Sequence, residues 1–278
     1  MHARATDPAE SDGSVLREVR RWRDGRLTPE QDCVAEEVPV ALVYNDTPHV
    51  VMMATPRDLD ELAFGFSLSE AVVARVDEVE VLGRHRLLEG IELRLRIPPA
   101  RAHALAQRRR NLSGRTGCGL CGVEALEDAL RQPAPIAGGP RIDAAILQRA
   151  LAALADGQPL NALTGATHAA AWARADGSIA LLREDVGRHN ALDKLIGALA
   201  LAGLDTQAGF LVVTSRASSE MVQKAATARI TLLAAISAPT ALAIQIADSS
   251  GLTLVGFARP GSHVVYAHAW RIADEVRA

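Results

Sequence analysis

Between residues 141 and 267 the apolar residues switch repeatedly between helical and strand spacing, and no other feature restricts the fold of this 278-residue chain as strongly. Helical spacing is read over 143–155, 189–202, 218–228 and 239–248, and strand spacing over 167–174, 178–183, 209–214, 232–236, 252–257 and 263–267. Such alternation predicts a sheet with helices packed on its faces. In sheets of that kind, ligand sites gather at the carboxyl ends of the strands. Asp176-Gly177 predicts the tight turn between the first two strands.

Upstream, residues 1–14 are small, polar and acidic and predict a disordered tail. Strand-like runs at 38–44 and 49–54 flank Asn45-Asp46-Thr47-Pro48 and predict a hairpin. Thr55-Pro56 offers an N-cap with proline at the first helical position, for a helix carrying Leu59, Leu62, Ala63 and Phe66 to about residue 73. Further strands are expected at 79–82 and 91–97, which makes 15–108 a small α+β lobe. The run Arg108-Arg109-Arg110-Asn111 and the glycine-rich stretch 114–122 lack an apolar period, so 109–122 is expected to be a mobile loop. Behind it, Val123, Leu126 and Leu130 open a helix and a larger lobe, 123–278.

A hydrophobic fraction of 49% supplies a substantial core, while a net charge of −3 gives no reason to expect a nucleic-acid or membrane-surface partner. No apolar run approaches the ~18–20 residues of a membrane span, and the start lacks the apolar core of a signal peptide, so the chain is expected in the cytoplasm. Lys194 and Lys224 are the only lysines among 30 basic residues, a bias that base composition explains without a site. Three cysteines, Cys33, Cys118 and Cys121, are too few for a disulfide framework and fit a reducing compartment with one special pair.

That pair stands in GRTGCGLCG. A helix N-terminus, neighbouring cations such as Arg115, and the Cys-x-x-Cys spacing each favour the thiolate. Four readings remain open: a structural zinc site, which lacks a second ligand pair; a thioredoxin-like redox pair, which lacks its framing strand; inert thiols, which four flanking glycines suit poorly; and carriage of a persulfide. Zinc-deaminase chemistry needs a glutamate two residues after a zinc-binding His or Cys, and none of the eight histidines, nor Cys33, has one.

Four segments together resemble the FdhD family of formate dehydrogenase accessory proteins: GRTGCGLCGVE from residue 114, EDVGRHNALDKLIG from 184, TSRASSEMVQKAA from 214 and LTLVGFAR from 252. The resemblance implies a mixed α/β fold, a small N-terminal α+β lobe plus a larger cytidine-deaminase-like three-layer α/β lobe. It implies a sulfur carrier that takes persulfide sulfur from a cysteine desulfurase on Cys118, with Cys121 in support. The sulfur passes to the bis(molybdopterin guanine dinucleotide) molybdenum cofactor, held as a bound substrate, and formate dehydrogenase is the recipient. No tightly bound metal of the protein's own is implied, and a homodimer stays open. A cofactor-holding chaperone and, further off, a deaminase-like zinc enzyme are the alternatives.

The same resemblance points to Phe257, Ala258, Arg259, Pro260, Gly261 and Ser262 as contacts for the cofactor's nucleotide. Here the chain departs from the family, which usually has glycine directly after the arginine and often a second arginine two residues on; His263 is a candidate substitute. Ser215, Arg216, Ser218 and Ser219 end a strand and open a helix, a natural anion cradle, unless Ser218 is an ordinary cap. Arg188 and His189, with Asn190, are either a cofactor lining or part of a solvated charged run that includes Glu184, Asp185, Asp193 and Lys194. The other histidines, His168 among them, are read as surface or core positions.

Overall fold

The computed structural model describes residues 11–113 and 133–273, and order begins earlier than composition implied. The Ser11 N–H donates to the Pro56 carbonyl at 2.9 Å and its hydroxyl donates to Glu36 at 2.5 Å. Residues 11–13 are therefore fixed, which corrects the expected tail through residue 14; residues 1–10 lie outside the described residues.

An antiparallel ribbon follows, β1 (Ser14–Arg23) and β2 (Arg26–Ala35), turned by Asp24-Gly25 with positive φ at both residues. A two-residue Asp-Gly turn matches the twist of paired strands. Next come β3 (Val38–Tyr44) and β4 (Thr47–Ala54), the predicted hairpin. Helix α1 (Leu59–Ser69) starts three residues later than expected, with Asp58 rather than Thr55 at its N-cap position. Thr55 is buried and committed elsewhere, its hydroxyl accepting the Val186 N–H at 3.2 Å. Strands β5 (Glu80–Arg86) and β6 (Ile91–Arg96) complete a four-stranded sheet in the order β4-β3-β6-β5. Helix α2 (Pro99–Ser113) carries the chain through Arg108 to Asn111, where a loop was expected. Arginine is a good helix former, so a helix can form there without an apolar stripe in its sequence. Residues 114–122 lie outside the described residues.

The second part holds β7 (Ile142–Asp143), α3 (Ala144–Asp156), α4 (Pro159–Thr164), β8 (His168–Arg174), β9 (Ile179–Asp185), α5 (Arg188–Leu201), β10 (Gly209–Val213), α6 (Ser219–Thr227), β11 (Leu232–Ala235), α7 (Ala241–Ser250), β12 (Thr253–Arg259), β13 (Ser262–Ala267) and β14 (Ile272–Ala273). Among these only α4, which opens with proline at its first position, and the two-residue strands β7 and β14 had no counterpart in the periodicity. A six-stranded mixed sheet runs β13-β12-β11-β10-β8-β9, with β10, β11 and β12 parallel. Alternate residues face opposite layers. Leu211, Val213, Leu233 and Leu254 pack against α5, α6 and α7, whereas Phe210, Val212, Leu232 and Val255 pack under Leu147, Leu151 and Leu154 of α3. The result is a three-layer α/β arrangement within a mixed α/β fold.

The two sheets are joined by a crossing of α1 and α5 at backbone contact. A Cβ on Gly65 would lie 1.6 Å from the Asp193 carbonyl oxygen, and one on Gly197 would lie 2.0 Å from that of Glu61. Among the described residues no helix is long and apolar enough to cross a membrane.

Candidate functional site

Parallel strands β10, β11 and β12 all end at one edge of the large sheet. Strand β8 runs the other way, so its first residue, His168, reaches the same edge and pairs with Asp185 at the end of β9. This topology gathers residues far apart in sequence. Arg188 and His189 open α5 beside the segment 214–218 that leads into α6. His189 Nε2 lies 2.7 Å from Glu220 Oε2, which links the first turns of the two helices. The ring N–H is not aimed at that carboxylate, so Nε2 is buried without a hydrogen bond. Distance makes the two an ion pair when His189 is protonated; the misalignment leaves its hydrogen-bonding capacity unspent.

Ser218 has the backbone of an N-cap, but its hydroxyl caps nothing and is buried without a partner among the described residues. That corrects the reading of Ser218 as an ordinary cap, while Met221 and Val222 are fully buried in the core, as that same reading had them. Arg188 Nε is likewise buried and unpartnered. Buried polar atoms ordinarily find partners, so Ser218 Oγ and Arg188 Nε, without one among the described residues, mark a place built for something else. Ser215 is buried, its hydroxyl donating to the Arg216 carbonyl at 3.0 Å, and the Arg216 side chain is exposed.

The segment from Phe257 to Ser262 is only partly at this face. Ala258 is buried in the core beneath α3, so its side chain is packing rather than lining. Pro260 and Gly261 form the two-residue turn between β12 and β13, with Gly261 at φ +76° and its N–H donating to Gln148 of α3 at 2.8 Å. Proline then glycine with positive φ is the chemistry of a type II turn, a structural reason for the departure noted in the sequence. Phe257, at φ +48°, and Arg259 remain exposed at the edge. Cys118 and Cys121 lie outside the described residues.

Below the edge, a cleft of about 460 Å³ opens between α1, α5 and α6. Lys224 Nζ at its floor lies 2.9 Å from Asp193 Oδ2, 2.8 Å from Glu70 Oε1, 3.0 Å from Ser69 Oγ and 5.1 Å from the Phe66 ring centroid. Burial works against the Lys224 ammonium, yet Asp193 and Glu70 hold it above lysine's ordinary value, so it is charged. A second network lies alongside. Asp185 accepts from Lys194 Nζ at 2.6 Å, Thr55 N at 3.0 Å, Gly187 N at 2.8 Å and Asn190 Nδ2 at 3.0 Å. Glu184 accepts from the backbone of Leu160 and Asn161 at the start of α4. Glu184, Asp185, Asn190, Asp193 and Lys194 are all buried, which corrects the reading of this run as a solvated face.

Lys224 and His168 are the residues that motif reading passed over. Burial, then the Arg188 guanidinium, pushes His168 below the usual histidine value. Only the pairing of β8 with β9 reveals its place, whereas Lys224 carried a signal: it is one of two lysines in an arginine-rich chain.

Comparison with known proteins agrees with this architecture. Residues 35–273 match the model of the FdhD/NarQ family. The chain is 59% identical over 260 residues to the sulfur carrier protein FdhD of Xanthomonas euvesicatoria pv. vesicatoria, covering 94% of this chain and 92% of that one. It is 51% identical over 275 residues to the sulfur carrier protein FdhD of Cupriavidus necator, covering 99% and 96%. A crystal structure provisionally described as a formate dehydrogenase accessory protein from Desulfotalea psychrophila shares the fold, with a TM-score of 0.72 at 23% identity over 94% of this chain and 99% of that one. With a family match across most of its length and more than half its residues identical to full-length relatives, the chain belongs to the FdhD/NarQ family.

Proposed function

We propose that this protein is a sulfur carrier that serves the maturation of formate dehydrogenase. The observation that carries the reading is identity of 51–60% to proteins named sulfur carrier protein FdhD over nearly the whole chain. In the chemistry proposed, the Cys118 thiolate attacks the outer sulfur of a persulfide on a cysteine desulfurase. The S–S bond of the donor breaks, the donor thiolate leaves, and Cys118 holds the persulfide. Cys121, three residues on, is placed in sequence to assist release: its thiolate attacking Cys118 Sγ would expel hydrosulfide and leave a disulfide, the dithiol supplying both electrons. The bis(molybdopterin guanine dinucleotide) molybdenum cofactor is the proposed cargo and sulfur acceptor, and the cytoplasm the proposed compartment.

The protein's own contribution to seating that cargo is read at the sheet edge. The Ser218 and Ser219 hydroxyls, the backbone N–H groups that open α6 and the Arg188 guanidinium are donors where two helices begin, suited to an anionic group. Arg259, exposed at the end of β12, extends the edge. The test is Cys118→Ala in a strain lacking its own copy of the protein. Loss of formate dehydrogenase activity with unaltered folding is expected, and full activity in that variant would contradict persulfide carriage.

A further inference from the structure

The β1–β2 ribbon is rooted beside the sheet edge and stands clear of the rest of the molecule. At its root a Cβ on Gly13 would lie 2.8 Å from Thr55 Cγ2 and 3.1 Å from Leu160 Cδ2, and β2 packs against α4. Thr55 donates its N–H to Asp185, and Glu184 accepts from the first residues of α4, so the ribbon springs from the end of β9, where α5 begins. From Arg20 to Gln31 every residue is exposed. A two-stranded ribbon with nothing packed on it is marginally stable in water. Its two faces differ. On one, Arg21 lies 2.6 Å from Glu30 and 3.5 Å from Asp32. On the other, Trp22 stands directly opposite Leu27, with exposures of 69% and 47%, and the row continues with Arg20 opposite Pro29 and Leu16 opposite Cys33. At the tip Arg23 stands directly opposite Arg26, a like-charge pair that destabilises the ribbon on its own. Arg20, Arg23 and Arg26 have no ion pair among the described residues.

An exposed tryptophan among unpaired arginines has the composition of an interface anchor, because Trp and Arg carry much of the binding energy where proteins meet. Three uncompensated guanidinium groups call for a carboxylate-rich partner. Four carboxylates, Glu18, Asp24, Glu30 and Asp32, lie along the same ribbon and oppose a polyphosphate backbone, so the fit is to an acidic protein surface rather than to nucleic acid. The root narrows the partner further: a protein held by the ribbon stands beside the edge that carries Arg188 and Ser218, from which cargo would be handed on. We propose that the β1–β2 ribbon is a docking arm for the recipient enzyme, cofactor-free formate dehydrogenase, gripping an acidic patch around an apolar pocket that takes Trp22. The inference rests on the sulfur-carrier reading above and adds the surface that brings the recipient to the cargo.

The experiment is biolayer interferometry of the full chain on immobilised cofactor-free formate dehydrogenase, with a cysteine desulfurase as the comparison surface. The parent is compared with Trp22→Ala and with Arg23→Glu. The second variant replaces the Arg–Arg pair by an opposite-charge pair, so it strengthens the ribbon while reversing charge at its tip. Each should weaken binding to formate dehydrogenase at least about tenfold and leave binding to the desulfurase unchanged, and added salt should weaken the parent more than Arg23→Glu. No binding by the parent, parent-like binding by both variants, or a loss confined to the desulfurase surface overturns the docking arm. So does a change in self-association in the variants with formate dehydrogenase binding intact. Sulfur loading of Cys118 is measured in the same proteins. Loading in a parent whose binding the ribbon variants do not alter removes the arm and leaves the carrier reading standing; ribbon-dependent binding without loading does the reverse.

Discussion

Lys194 Nζ lies 2.6 Å from Asp185 Oδ2, and neither side chain is exposed to solvent. The same ammonium donates to the Thr55 carbonyl at 2.9 Å, and the same carboxylate accepts the N–H of Thr55 and of Gly187. One ion pair thus ties the end of β4 to the start of α5, where Arg188 and His189 enter the site.

Removing one member of this pair strands the other. Lys194→Met is expected to cost about 3–5 kcal/mol, because it leaves a buried carboxylate without its counter-ion. The double variant Lys194→Met/Asp185→Asn should recover part of that loss. Urea denaturation of the two variants measures both, and a single variant as stable as the parent would contradict the pairing.

The two lysines should also resist the exchange that the rest of the chain favours. Each serves as a compact ammonium held by buried partners, with side-chain exposure of 0% for Lys194 and 9% for Lys224. A guanidinium is larger, planar and differently directed. Lys224→Arg is expected to destabilise by about 1–3 kcal/mol, because a planar guanidinium cannot reproduce the ammonium's bonds to Ser69, Glu70 and Asp193. Thermal unfolding reads the change, and an unaltered midpoint would show that the cleft floor accommodates the larger group.

The crossing of α1 and α5 gives a sharper steric test. A methyl group on Gly65 would sit 1.6 Å from the Asp193 carbonyl oxygen, a backbone atom that cannot step aside without moving α5. Gly65→Ala should cost at least about 1–3 kcal/mol and loosen the cleft that the two helices share. Calorimetric unfolding of the variant checks the cost, and an unaltered midpoint would contradict the close approach of the two helices.

The layered half was legible because its central strands are buried on both faces: runs such as Phe210 to Val213 can only be core. Strands β1 and β2 were missed because they are largely exposed and carry no burial pattern, and α2 was not read at all because a basic helix needs no apolar stripe. At the site, Arg188, His189 and Ser218 could be named from chain order. Burial of Asp185, Asp193 and both lysines could not, because it is created by Thr55 and Ser69 from the other sheet's side of the molecule. His168 was invisible for the same reason, its neighbours being set by strand register rather than by sequence.

Acid should weaken the fold through two histidines. Burial and Arg188 hold His168 and His189 below their ordinary 6.5. The unfolded chain then binds protons at a pH where the folded one does not. Stability present above 6.5 is lost as pH falls from there through the folded values. Unfolding midpoints between about pH 7.5 and 5.5 should decline, and His168→Gln should reduce the decline; a slope unchanged by that substitution would remove His168 as a source.

Persulfide carriage on Cys118 is tested most directly by intact-mass and peptide-mapping spectrometry after incubation with a cysteine desulfurase and cysteine. A reductant-labile gain of one sulfur atom on Cys118, absent from Cys118→Ala, is the predicted result. No gain on Cys118, in a folded protein with its thiols reduced, would contradict the account.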